Sequence, residues 1–348
     1  MIKNQTITHV PTAWIGPIYF KSMNYLTFSE KEIRLDAPLA TYETTLFYSV
    51  NRGVRVFEKM KTLKTTVISD MMTRSLLFEA TSSKQARDVA NQIIAKKEDY
   101  QKRAVKQVSN YAQLIKIDTH IVDQLIFLRF AYETSNASGH NMTTFASDKI
   151  AQLILEEFDM LKYVSVSANY CTDKKNSSVN AILGRGKHVV ASLEISRDVC
   201  QEVLKTTPEK IVELNIKKNY IGSIISGGVQ SANAHFANML LAFYIATGQD
   251  GANIVEGSQG ITYAEVKDDA LHFSVTLPNI IVGSVGHGKD NLDAQHALEK
   301  MGCTSDYSAL KLAQIAAALV CAGELSLLSA LTNQNELTNA HRALERKQ

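Results

Sequence analysis

Cysteine is scarce in this chain of 348 residues: four are present, at 171, 200, 303 and 321, and no two form a C-x-x-C pair. That spacing offers no disulfide framework and favours reduced thiols in a cytoplasmic protein. Nor do His, Cys and Asp fall at ligand spacing anywhere, so no metal is expected. Prolines number five, and no Ser/Gly-rich or charge-block linker and no internal repeat divides the chain, which leaves any domain boundary to be read from pattern. An excess of one charge is missing as well. With 37 Lys and Arg against 35 acids, the net charge of +2 excludes the footprint of a nucleic-acid or anionic-membrane binder, so anion recognition has to be local. The start of the chain lacks a basic segment leading into an apolar run. The Ala/Leu-rich stretch from Leu310 to Leu331 is broken by Gln314, Gly323, Glu324 and two serines, and neither a signal peptide nor a membrane span is expected. Finally, no G-x-G-x-x-G follows an early strand, which argues against a Rossmann domain.

What is present is an ordinary globular balance, 45% hydrophobic and 21% charged, long enough for two domains. Residues 85 to 107 carry apolar positions at helical spacing. Ala112 to Ile117 and Ile121 to Phe130 read as strands, and Met142 to Phe158 returns to helix. This succession, between about 76 and 164, suggests a small α+β unit inserted in a larger chain. Further on, strands are expected at Val164 to Ser167 and Val189 to Ile195. A long apolar helix from about Ser231 to Ala246, ended by Thr247-Gly248, is expected to be the spine of the larger unit. The fold class is thus α/β (α+β), with a large domain built on a central helix.

The most informative stretch is Asn169-Tyr170-Cys171-Thr172-Asp173-Lys174-Lys175, closing on Gly184-Arg185-Gly186-Lys187. One carboxylate and several cations stand there among residues too polar for a core. Asp173 is placed to hold the neighbouring Lys174 ammonium, and a partly desolvated lysine stabilises a developing oxyanion. A solvated charged turn is the alternative that spacing alone leaves open.

The wording of the segment resembles the catalytic lysine loop of the hydroxymethylglutaryl-CoA (HMG-CoA) reductase family. Four other segments carry the same resemblance: Ala37-Pro38-Leu39-Ala40-Thr41-Tyr42-Glu43 with Asn51-Arg52-Gly53; Asn233-Ala234-His235-Phe236-Ala237-Asn238 running to Gly248-Gln249-Asp250; Leu277-Pro278-Asn279-Ile280 running to Gly288; and Asn339-Ala340-His341. Matching segments run from about Val10 to His341, most weakly between 76 and 125. The resemblance implies reduction of HMG-CoA to mevalonate with two equivalents of reduced nicotinamide cofactor. It implies a large HMG-CoA domain over 1–75 and 165–330, a small cofactor domain over 76–164, and a mobile C-terminal segment, 331–348. It also implies at least a homodimer with active sites formed between subunits. Lys174 then stabilises the oxyanion, Glu43 serves as the acid, Asp250 keeps Glu43 protonated and orients Lys174, and His341 protonates the departing CoA thiolate. Substrate contacts fall on Arg74, Ser167, Asp173, Lys175, Lys218 and Asn238.

For the cofactor, Asn136-Ala137-Ser138-Gly139-His140-Asn141-Met142 resembles the family's D-A-M-G-M-N loop, with Asn136 replacing the acid and Ser138 and His140 replacing methionines. Gly283 to Gly288 resembles its second glycine-rich loop, with Gly283 and Gly286 approaching the cofactor. NADPH is expected rather than NADH: the tail after His341 is short, Asn136 removes a negative charge, and Lys84 can meet a 2′-phosphate. Two other readings are a non-catalytic CoA-binding relative and a reductase of a different acyl-CoA. Retention of Glu43, Lys174, Asp250 and His341 argues against the first, and Arg74 with Lys175 against the second.

Overall fold

The computed structural model describes residues 8–23 and 30–344; the remaining positions of the expected segments 1–75 and 331–348 lie outside the described residues. Among the described residues ten strands are interspersed with helices: β1 Thr12–Met23, β2 Glu30–Ala40, β3 Lys64–Glu79, β4 Gln113–Val122, β5 Leu125–Glu133, β6 Lys162–Val166, β7 Gly186–Ser196, β8 Ser231–Ala232, β9 Gly260–Lys267 and β10 Ala270–Ile280. One sheet runs in the order β2-β1-β3-β7-β10-β9-β8, mostly antiparallel. Strand β3 belongs to two sheets in turn. Its first half, from Lys64 to Met71, pairs with β7, while Met72 to Glu79 pair with β5, and β6 joins along Leu76 to Glu79.

The apolar residues of β3 follow this hand-over. Val67 enters a core shared with β1, β7, β10 and the helices Thr45–Met60, Phe236–Ala246 and Ser308–Leu331, whereas Leu76 and Phe78 enter a second core with β4, β5 and the helices Ser83–Ala95 and His140–Glu157. A sixteen-residue strand that is buried in both halves ties the two cores together through backbone hydrogen bonds rather than through a linker.

The spine differs from the sequence expectation. The helix expected from Ser231 begins only at Phe236; Ser231–Ala232 is a short strand parallel to β9, and His235 is the N-cap before the helix. The most deeply buried helix is Ser308–Leu331. It is apolar and long enough to span a membrane, yet 94% of its most apolar window is buried inside the fold. Its interruptions are themselves buried: Gln314 donates to the carbonyls of Thr65 (3.0 Å) and Met23 (3.2 Å), and Glu324 accepts from four donors described below. Gly53 explains how closely this helix and Thr45–Met60 approach, since a Cβ at Gly53 would lie 2.1 Å from the Ala322 carbonyl oxygen. The expected helix 85–107 is helical over nearly all its length but broken at Lys96: Ser83–Ala95 is followed by Lys97–Tyr100, a π-helical turn over Gln101–Val105 and a last turn, Lys106–Val108.

Candidate active site

The loop after β6 is built against local preference. Ser167, Asn169, Thr172 and Lys174 all adopt left-handed backbone conformations (φ 66°, 60°, 48° and 56°) in a stretch without glycine. Such residues cost of order 1–3 kcal/mol each and persist where surroundings over-determine them. Here the N–H groups of Ser167 and Ala168 donate to the Ser75 carbonyl (2.7 and 3.2 Å), the Asn180 amide donates to the Thr172 carbonyl (2.9 Å), and the Lys174 N–H donates to Glu256 Oε1 (3.1 Å).

That turn sends adjacent side chains apart, which corrects the expected pairing of Lys174 with Asp173. The Lys174 ammonium instead sits 2.8 Å from Asp250 Oδ2. Asp173 faces Arg185, whose Nη2 donates to Oδ1 at 2.7 Å, and Arg74, whose Nη1 lies 3.5 Å from Oδ2. Burial works to raise the Asp173 carboxyl, but Arg185, His140 and Arg74 hold it below the usual carboxylate range. Burial likewise opposes Asp250, and Lys174 with the Ala252 N–H brings it below normal. The hydrogen bond to Asp250 raises Lys174. Both partners therefore favour the charged pair. Arg74 also donates to Ser167 Oγ (3.0 Å), and Lys175 reaches back to the Asp173 carbonyl (3.1 Å). The structure thus brings together Lys174, Asp250, Asp173, Arg74, Ser167 and Lys175.

Arg185 is the organising residue that sequence reasoning left without a role. Fully buried, it donates to the Thr73 carbonyl, to Thr73 Oγ1 (2.9 Å) and to Asp173, and its Nε lies 3.4 Å from Glu256 Oε1. Burial pushes the Glu256 carboxyl up, with partial relief from its own N–H and from Arg185. Arg185 thus fixes Asp173 directly and the Lys174 backbone through Glu256. Its signal in the sequence is an arginine set between two glycines, and Gly186 has a reason to be glycine: a Cβ there would lie 2.5 Å from the Ile280 carbonyl oxygen.

The two glycine-containing loops lie side by side. The Ser284 N–H donates to the Asn136 carbonyl (2.9 Å), Ala137 bridges to Val285, and a Cβ on Gly283 would lie 2.4 Å from the Ser138 nitrogen. Gly139 (φ 91°) opens the helix His140–Glu157, so Asn141 lies in its first turn. Gly286 (φ 98°) faces open space where a Cβ would project. Asn136 anchors this loop: its amide donates to the Ser305 carbonyl (3.2 Å) and its oxygen accepts the Ala309 N–H (3.2 Å). His140 projects to within 3.9 Å of Asp173. Behind the Asp250 turn, Gln249 exchanges hydrogen bonds with both backbone groups of Gly283, and the buried Lys289 donates to the Gly248 carbonyl (2.8 Å). Lys84 is not brought to these loops. It lines a separate groove with Thr81, Ser82 and Glu157.

Glu43, Asn238 and His341 meet elsewhere, around a cavity of about 400 Å³ at the opposite end of the helix Phe236–Ala246. The Asn238 amide donates to Glu43 Oε2 (3.1 Å). His341 comes from the helix Glu336–Leu344, where Arg52 pairs with Glu336 and donates to Ser326. Beneath the cavity, the buried Glu324 accepts the N–H groups of Ala234 (2.6 Å) and His235 (3.1 Å), the Thr262 hydroxyl (2.8 Å) and the Asn219 amide (3.3 Å). Through Asn219 this hub also sets the segment that carries Lys218. The eleven-residue helix between the groups is about 16 Å long at ~1.5 Å per residue. Within one chain the four expected catalytic residues therefore form two pairs, Lys174 with Asp250 and Glu43 with His341.

Residues 7–346 match the family model described as hydroxymethylglutaryl-coenzyme A reductase. The chain is 42% identical over 346 residues to the 3-hydroxy-3-methylglutaryl-coenzyme A reductase of Pyrococcus horikoshii, covering 98% of this chain and 82% of that one. It is 41% identical to the Methanocaldococcus jannaschii enzyme of the same name, covering 97% and 82%. Among solved structures, a Streptococcus pneumoniae 3-hydroxy-3-methylglutaryl-coenzyme A reductase superposes with a TM-score of 0.72 at 15% identity, over 94% of this chain and 86% of that one. A class II reductase from the same organism, bound to NADPH in open conformations, superposes equally well at 16% identity. On this evidence the chain belongs to the hydroxymethylglutaryl-coenzyme A reductase family.

Proposed function

We propose that this family member carries out the NADPH-dependent reduction of HMG-CoA to mevalonate with two half-sites, each supplied by one end of the helix Phe236–Ala246 and completed by a second copy of the chain in a cytoplasmic homodimer. The observation that carries the reading is the Lys174–Asp250 pair, 2.8 Å apart, on a strained loop locked by Arg185 and Glu256. An ammonium held in place before the reaction needs little reorganisation when charge develops on a carbonyl oxygen, which is how such a donor lowers a barrier.

The substrate's free carboxylate is assigned to Arg74 and Lys175, with Ser167 and Asp173 fixing the Arg74 guanidinium. Lys218 and Asn238 approach the same substrate from the second half-site. Residues 76–164 form the proposed cofactor domain. Its fit to NADPH rests on the open face at Gly286 and on the N-terminus of the helix His140–Glu157, where free N–H groups suit a pyrophosphate. When bound, NADPH supplies the hydride. Glu43 is the proton donor to the aldehyde-level oxygen, with Asn238 orienting its carboxyl, and His341 protonates the thiolate leaving group.

The assay follows the reduced-nicotinamide absorbance with HMG-CoA, using NADPH and NADH in parallel. HMG-CoA-dependent oxidation, faster with NADPH, is expected. No oxidation with either cofactor would support a non-catalytic CoA-binding relative.

A further inference from the structure

His140 stands where the related loop has a methionine, and it has no equivalent among the roles assigned so far. Its Nδ1 lies 3.4 Å from Ser138 Oγ, the second residue that departs from the motif. Its Nε2 is buried and has no hydrogen-bond partner among the described residues. The nearest charged oxygen is Asp173 Oδ1, at 3.9 Å, beyond hydrogen-bonding reach. Arg185, Asp173, Asp250 and Lys174 all act on the ring electrostatically, and burial first, then Arg185, lowers its pKa to about 4. The imidazole is therefore neutral near pH 7. In the tautomer in which the Ser138 hydroxyl donates to Nδ1, the ring proton resides on Nε2, the nitrogen 3.9 Å from Asp173 Oδ1.

We propose that His140 is a positioning residue that couples the cofactor loop to the substrate loop, its Nε2–H closing the gap to Asp173 when both ligands are bound. The inference rests on the reading of 136–141 as a cofactor loop and of Asp173 as part of the substrate site. An occupant pressing on the first turn of the helix His140–Glu157 would move the imidazole. An occupant held by Arg74 would move the Asp173 carboxylate, which already shares Arg74 and Arg185. A shift of about 1 Å brings Nε2 and Oδ1 within bonding distance. Each ligand then prepares the site for the other, and the coupling is reciprocal.

The test is calorimetric titration of HMG-CoA into the full-length protein with and without saturating NADP⁺, a pair that cannot turn over because the oxidised cofactor carries no hydride. His140→Met restores the family's residue, and His140→Gln keeps an N–H donor on a side chain of similar reach. The expected result is that NADP⁺ tightens HMG-CoA binding about fivefold or more in the wild-type chain and in His140→Gln, and leaves it unchanged in His140→Met. Equal tightening in His140→Met, or none in the wild-type chain, overturns the proposal. Because the titration needs no turnover, it decides on His140 separately from the reductase assay, whose failure would count against the functional reading.

Discussion

For its proposed role Lys174 has to be both open to substrate and fixed, and its neighbours allow both: its backbone is strained and pinned while its side chain stays 41% exposed beside Asp250. Lys174→Ala should therefore lower turnover about 10²- to 10³-fold while leaving the melting temperature nearly unchanged; steady-state assays with a thermal melt check both. Asp250 carries a definite pH signature. Its folded pKa is depressed, so its contribution to stability is present above the unfolded value of about 3.9 and is lost as pH falls through the folded one. The melting-temperature deficit of Asp250→Asn should accordingly be present at neutral pH and fade in strong acid, a small effect given its exposure. A deficit that grew in acid would contradict the pairing. Arg74→Ala should mainly raise KM for HMG-CoA, by about 2 kcal/mol of lost charge-assisted binding. Individual residues were also where the sequence was least complete. Asp173 and Lys174 were identifiable by wording, but which carboxylate meets which cation depends on four left-handed residues that no composition rule anticipates. Arg185 could not be separated from a surface charge until its burial was seen.

Among the elements, the long helix Ser308–Leu331 carries more of the architecture than its apolar sequence suggested, because its few polar residues are the ones that organise the site. Gln314 and Glu324 looked like interruptions of an apolar run; folded, one ties β1 to β3 and the other holds the entry to the helix Phe236–Ala246. Helix periodicity could indicate that such a helix exists but not that both its faces are covered, which is why the shorter Phe236–Ala246 was expected to be the spine. Gly53 belongs to the same packing. Gly53→Ala should destabilise the fold by about 1–3 kcal/mol, because backbone rather than a flexible side chain blocks the added methyl; a chemical-denaturation curve measures it. The helix Glu336–Leu344 is held by the Arg52–Glu336 pair. Glu336→Ala should loosen it and slow HMG-CoA reduction while sparing reduction of free mevaldehyde, which releases no thiolate; equal loss in both assays would instead give His341 a role in assembling the cavity.

For the whole molecule, the α/β class was legible from alternating strand and helix patterns, and the family from five short segments. The division of the site was not, since residues close in a motif list can stand at opposite ends of a helix. That division gives the account its central claim: Lys174 and Asp250 of one chain work with Glu43 and His341 of another. The direct measurement is subunit mixing. Lys174→Ala and Glu43→Ala chains, each inactive alone, are co-expressed with different tags, the mixed dimer is purified, and HMG-CoA reduction is followed at the NADPH band. In a shared-site dimer one of the two sites in each mixed molecule has both intact halves, so the mixed dimer should recover about half the activity of the unmutated dimer. A mixed dimer as inactive as its parents would contradict the account, because each chain would then have to complete its own site.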